Sequence, residues 1–169
     1  MYKAIGITAA AVLAAGCTTS SIIPANLNPA GNESMTMIVP AKGVQIYECR
    51  AGKSGAYEWA FVGPEAQLFD TTGQAIGKHY GGPHWEATDG SKIGAKLIER
   101  ADAPKAADIP WLLLGAKSVG ADGAFSKVTS IQRVNTVGGV APKAGCSQDN
   151  AGTPARIPYT ADYYFFTVR

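Results

Sequence analysis

Short segments in which apolar and polar residues alternate dominate the chain from residue 37 onward. Residues 44–49 (VQIYEC) alternate in the manner of a half-buried strand, and residues 56–62 (AYEWAFV) carry aromatic side chains that favour strands. Glycine-containing turns separate such segments, including Asp89-Gly90, which is typical of a tight hairpin. The pattern predicts many short strands joined by turns.

Two later segments extend the predicted sheet. Residues 109–114 (IPWLLL) form a continuous apolar run typical of a central buried strand, and residues 124–137 alternate over a long stretch that requires a bulge. The residues of that stretch predicted to face inward are Phe125, Val128, Ile131 and Val134. We therefore predict an all-β domain, a single closed barrel or a sandwich of about nine to ten mostly antiparallel short strands with little helix.

The N-terminal segment has the pattern of a leader. Residues 4–15 are almost wholly apolar and too few to span about 30 Å of hydrocarbon as a helix. The run ends in Leu13-Ala14-Ala15-Gly16-Cys17, which resembles the bacterial lipobox. That resemblance implies cleavage before Cys17, acylation of this cysteine with fatty acids such as palmitate, and attachment to the outer membrane, since Thr18 rather than an aspartate follows. An ordinary cleaved signal peptide is the alternative.

These patterns predict three parts of the chain. Residues 1–16 are the signal peptide, residues 17–36 a flexible tether rich in Ser, Thr, Asn, Pro and Gly, and residues 37–169 a single β domain. Leu27 and its apolar neighbours in the tether are able to pack on the domain.

Composition narrows the classes of protein. The 20 glycines and 10 prolines, with only 17% charged residues, exclude a long-helix bundle, and 46% hydrophobic residues exclude general disorder. A net charge of +2 gives no basic surface for nucleic acid, so no nucleic-acid partner is expected.

Two cysteines remain once Cys17 is assigned to lipid. Because an exported protein passes through an oxidising compartment, Cys49 and Cys146 are predicted to form a disulfide, which closes a long loop. Two separate buried thiols are the alternative.

Several distinctive sequence segments follow one another along the domain. They include GVQIYEC (43–49), IGKHYGGPHWE (76–86), IPWLLL (109–114) and PYTADYYF (158–165). Together they are similar to the uncharacterised family catalogued as domain of unknown function 3455, over about residues 37–168. The resemblance implies an exported domain and supplies no catalytic residues. The chain has no strand-linked G-x-G-x-x-G motif, and no cofactor is predicted.

A cluster of chemically versatile side chains flanks the sharp turn Gly81-Gly82-Pro83. Two aromatic rings with a carboxylate are typical of a platform for a carbohydrate or another small ligand, whereas packing in the core is the alternative. The candidate ligand-binding residues here are His79, Tyr80, His84, Trp85 and Glu86. The H-x₄-H spacing matches no recognised metal site, so no metal is predicted.

Arg133 is the remaining candidate. If Ile131 faces inward, Arg133 does so too, and a buried guanidinium requires a carboxylate. Asp162, Glu65 and Glu86 are the candidate partners, and the alternative is an arginine that faces a ligand at a barrel mouth.

These features favour a membrane-anchored exported protein that binds a small ligand or a component of the cell envelope. With two histidines and no G-x-S-x-G, H-E-x-x-H or phosphate-loop motif, a binding role is favoured over catalysis. The alternatives are a hydrolytic or redox enzyme that acts on envelope material, and a module for protein–protein contacts.

Overall fold

A computed structural model describes residues 22–169 of the chain. The predicted signal peptide, and Cys17 with its predicted lipid, lie outside the described residues. Residues 22–169 form eight antiparallel strands in which each strand pairs with the next and β8 pairs with β1, so that the sheet closes into a barrel. The strands are β1 (Glu33–Ala51), β2 (Tyr57–Phe69), β3 (Ala75–Tyr80), β4 (His84–Ala87), β5 (Lys92–Ala101), β6 (Trp111–Ser118), β7 (Ser130–Gly138) and β8 (Pro154–Val168).

The all-β prediction is confirmed, and the sheet is a closed barrel rather than a sandwich. There are eight strands instead of nine to ten because segments that a sequence break separates belong to one long strand. Residues 56–62 and 67–70, for example, both fall largely within β2. Outside the strands, residues 22–169 contain two short 3₁₀ turns, Ala25–Leu27 and Gln148–Asn150, and no helix long and apolar enough to cross a membrane.

The ordered domain begins before residue 37. β1 starts at Glu33, and Leu27 is fully buried against the outside of the barrel. Together with Trp111, Leu113 and Val134 it forms a cluster on the outer face, separate from the barrel interior. The part of the predicted tether that the structure describes therefore contacts the barrel wall.

The interior cluster carries most of the large apolar side chains. Phe125, Val128 and Ile131 belong to it, as predicted, but Val134 lies in the outer cluster. The segment 124–137 is not one strand: β7 begins only at Ser130, and its register with β8 shifts between Val134 and Val137. A strict two-residue period from Ile131 puts Arg133 inside and Val134 outside.

The two ends of the barrel differ. At the closed end, residues 119–129 fold into the barrel opening, and the backbone N–H of Phe125 donates to the buried Ser91 hydroxyl at 3.1 Å. At the open end, the loop 139–153 lies beside β1 and is fixed to it by the Cys49–Cys146 disulfide, which confirms that prediction. The Tyr47 hydroxyl also donates to the Gly139 carbonyl at 2.7 Å.

Candidate functional site

The open half of the barrel contains a cavity of about 480 Å³. The closed half is filled by side chains such as Phe125 and Phe165, whose rings contact edge to face with centroids 5.0 Å apart. A volume of this size is typical of small-ligand sites, and an eight-stranded barrel is wide enough for one small ligand. Every strand contributes to the lining, which includes Gln45, Phe61, His79, Trp85, Leu97, Leu112, Leu114, Arg133 and Tyr163.

The inner side of the β3–β4 hairpin forms one wall. His79 and Trp85 are opposite each other in the strand register, and their rings stack with centroids 4.1 Å apart. Tyr163 from β8 meets both rings edge to face, at 5.2 Å from His79 and 5.3 Å from Trp85. Because all three residues are almost wholly buried, they form a rigid aromatic surface at the cavity.

The buried environment keeps His79 neutral. Burial is the largest of the causes that together lower its pKa to about 3; a hydrogen bond to the His84 carbonyl opposes the shift, and the positive charge of Arg133 adds to it. That carbonyl is 2.8 Å from Nδ1 and only accepts, so Nδ1 carries the proton. The Nε2 atom is therefore an acceptor.

The outer side of the same hairpin holds the other half of the predicted cluster. The Tyr80 hydroxyl donates to a Glu86 carboxylate oxygen at 2.6 Å, which lowers the pKa of Glu86 and raises that of Tyr80. Lys78 lies 3.2 Å from the other Glu86 oxygen. The His84 ring stacks on Tyr80, and its Nδ1 is 3.0 Å from the Gly81 carbonyl oxygen.

The predicted patch is therefore divided by the barrel wall. Neighbouring residues of a strand point to opposite faces of a sheet. His79 and Trp85 line the cavity with Arg133, whereas Tyr80, His84 and Glu86 lie outside. One small ligand inside the barrel cannot contact both groups, and a binding role for either group stays a prediction.

Arg133 faces inward, but no carboxylate neutralises it. Its Nε and Nη2 atoms donate to the Pro110 carbonyl at 3.1 and 2.8 Å, and it forms no ion pair with any residue from 22 to 169.

The three acids predicted as partners of the inward guanidinium point outward and are engaged elsewhere. Glu65 pairs with Arg156 at 2.9 Å, Asp162 accepts from Asn135 at 2.9 Å, and Glu86 pairs with Lys78. Arg133 instead lines the cavity, and its contact with a ligand there stays a prediction.

Two further donors at the cavity have no partner. Gln45 Nε2 and Trp85 Nε1 make no hydrogen bond, although both residues are buried, with Gln45 2% and Trp85 1% exposed. The Gln45 amide lies close to the Tyr159 hydroxyl and lowers the pKa of that phenol, but the two groups are not in hydrogen-bonding geometry. Burial raises the pKa of both Tyr159 and Tyr163, so these phenols are neutral.

Gln45 and Tyr163 are not among the site residues predicted from the sequence. Apolar Val44 and Ile46 suggest that their side of β1 faces the core, but the buried positions are Gln45, Tyr47 and Cys49. The signal was present upstream, since Val39 and Ala41 continue the same two-residue phase.

The cavity opens sideways through the barrel wall. The pairing of β2 with β3 stops at Glu65–Tyr80, and the pairing of β4 with β5 stops at His84–Gly94. Residues 57–64 of β2 and 96–101 of β5 therefore have no strand between them. We call this gap, above the turn at residues 81–83, the notch.

The arrangement supplies hydrogen-bond donors, the positive charges of Arg133 and Lys96, and apolar walls. Both histidine Nδ1 atoms face backbone carbonyls. Within the described part of the chain, no group of three or more His, Cys, Asp or Glu side chains is placed to hold a metal ion.

The chain matches the family model described as "Protein of unknown function (DUF3455)" over residues 29–167. It therefore belongs to that family. No curated protein and no solved structure matches the chain.

Proposed function

We propose that the chain is an exported lipoprotein, anchored through Cys17 at the outer membrane, whose barrel binds a small amphipathic ligand with an anionic head. The leader pattern supports export, and the lipobox resemblance supports the anchor. The Cys49–Cys146 disulfide is consistent with an oxidising compartment such as the periplasm.

The polar groups of the cavity favour an anionic head. Arg133 brings a positive charge without a carboxylate, and Gln45 Nε2 and Trp85 Nε1 are unpaired donors. Leaving a buried donor unsatisfied costs about 1–3 kcal/mol, so a ligand that accepts from such a donor recovers part of this energy. A carboxylate offers several acceptor sites to these groups.

The remaining lining favours an apolar body. Leu112 and Leu114 from β6, with Leu97 at the notch, surround the aromatic surface of Trp85 and Tyr163. Burying apolar ligand atoms here contributes about 25 cal/mol per Å² removed from water, offset by the loss of ligand freedom.

One observation carries the proposal: an arginine without a carboxylate and an unpaired buried glutamine amide line the same cavity. Structural burial alone would pair Arg133 with an acid, because an unneutralised charge near the core destabilises the fold. A ligand that brings the negative charge accounts for the arrangement.

Calorimetric titration of the full chain with three ten-carbon probes tests this function: decanoic acid, decanol and decylamine. We expect decanoate to bind most tightly, because it alone complements Arg133. Replacing Arg133→Gln is expected to weaken decanoate binding about tenfold or more, since hydrogen bonds to charged groups contribute about 1.5–3 kcal/mol and 1.4 kcal/mol is tenfold.

Arg156→Gln is the matched control, because Arg156 is a surface residue paired with Glu65. We expect it to bind decanoate as the unaltered chain does. Equal affinity for the three probes, or no binding of any of them by the unaltered chain, contradicts the proposal without reference to any variant.

A further inference from the structure

Followed back from Glu33 to Ile22, the chain runs along the outside of the barrel from the closed end to the open end. Glu33 begins β1 beside Val168 at the closed end. Towards the N-terminus, the Leu27 carbonyl accepts from Gln132 at 2.6 Å, and the Asn26 amide donates to the Arg100 carbonyl at 3.4 Å.

Ile23 then packs against the outer cluster, as do Ala101 and Ala103 at the open end of β5. Ile22, the first residue that the structure describes, is 93% exposed. The first described residue therefore lies towards the end of the barrel at which the cavity opens.

Few residues separate Ile22 from the predicted lipid. Cys17 precedes Ile22 by five residues, which span at most about 18 Å when fully extended. Arg100 and Leu97 are three residues apart on β5, or about 10 Å along the strand. With the predicted acyl group on Cys17, the notch lies within reach of the membrane surface.

The edges of the notch carry exposed apolar side chains in both strands. The four residues, which we call the apolar rim, are Phe61, Val62, Leu97 and Ile98, exposed by 55%, 52%, 58% and 56%. Lys96 and Lys117 lie beside them in a groove next to Ile98. Apolar side chains flanked by lysines favour an interface that contains anionic lipid.

We propose that the apolar rim docks on the lipid bilayer that holds the anchor, so that the notch opens towards the membrane and single-chain anionic lipids enter the cavity without crossing water. The occupant of this surface is the bilayer itself. The proposal rests on the anchor in the proposed function, and it goes beyond that function by giving the barrel an orientation and the ligand a source.

Hydrogen exchange read by mass spectrometry tests the docking. Exchange is measured for the full lipidated chain on vesicles of phosphatidylethanolamine and phosphatidylglycerol in equal parts. It is compared with exchange of the Cys17→Ser form in detergent-free solution. Amides of residues 57–64 and 96–101 that point into the notch have no strand partner, so they exchange readily in solution. On vesicles we expect their exchange to slow about tenfold, with residues 119–129 unchanged.

The double variant Phe61→Ser with Leu97→Ser is expected to lose this protection. Met35→Ser with Val168→Ser is the matched control, since both residues are similarly exposed, at 48% and 55%, but lie at the closed end. The control pair is expected to keep the protection.

Vesicle flotation separates the two ways of failing. A full chain that does not float with vesicles refutes the anchor, and with it both this inference and that part of the proposed function. A chain that floats without protection at the notch, or with protection at residues 119–129 instead, overturns the docking alone. Decanoate binding in solution is independent of either result.

Discussion

The two ends of the barrel use polar groups in opposite ways. At the closed end, Asp89 accepts from the backbone of Ser91 and Ala124, and the Ser91 hydroxyl connects it to the backbone of Phe125. At the open end, Gln45 Nε2 and Trp85 Nε1 have no partner, and Arg133 has no acid.

This difference separates stability from binding. A closed network with a filled core holds the barrel together. Unpaired donors around a cavity lower the stability, and they contribute favourable free energy only when a ligand accepts hydrogen bonds from them. We expect substitutions at the closed end to change the free energy of unfolding, and substitutions in the cavity to change affinity.

The disulfide gives the largest expected effect and is the exception to this division, because it stabilises the open end. The Cys49→Ala, Cys146→Ala variant frees a loop with a sequence separation of 97 residues. The free energy of unfolding is expected to fall by about 4.7 kcal/mol, because the open chain gains entropy when unfolded.

Guanidinium unfolding of the variant measures this change, and the unaltered chain kept under a strong reductant is the matched comparison. A loss below about 1 kcal/mol in both samples contradicts a stabilising role for this bond.

Phe125→Ala at the closed end is expected to lower the free energy of unfolding by about 4 kcal/mol, because it leaves a cavity where a fully buried ring meets Phe165. Decanoate affinity, measured where the variant is folded, is expected to be unchanged. Phe61→Ala, at a residue 55% exposed on the notch, is the matched control with the reverse outcome: lower affinity and nearly unchanged stability. If both variants lose affinity equally, the two ends are not independent.

The strand pattern and the inward position of Arg133 were accessible from sequence, because both follow from a two-residue period. The same period already implied that His79 and Tyr80 point to opposite faces, so the division of the candidate patch had a local signal. It also places Trp85 and Glu86 on opposite faces. Adjacent residues around a turn are near in sequence without sharing a surface.

Other features depend on pairing between distant strands. That Asp162 lies outside and meets Asn135 depends on how β7 and β8 align around a bulge, which no local pattern gives. The notch likewise exists because β3 and β4 end before β2 and β5 do, and strand ends are set by partners as much as by sequence.

The smallest expected effect concerns pH. At the closed end, the hydroxyl of Ser91 lowers the pKa of Asp89, so the contribution of Asp89 to stability is present above its usual pKa and is lost only as the pH falls further.

At the open end, burial lowers the pKa of His79 to about 3. The unfolded chain binds a proton there below about pH 6.5 and the folded chain does not, so stability falls as the pH is lowered, by about 1.4 kcal/mol or less from pH 6 to pH 5. His79→Gln is expected to remove this slope between about pH 6 and 5, and the outer-face variant His84→Gln to keep it. Denaturant unfolding at a series of pH values measures the slope, and an unchanged slope in His79→Gln contradicts a neutral buried imidazole at the cavity.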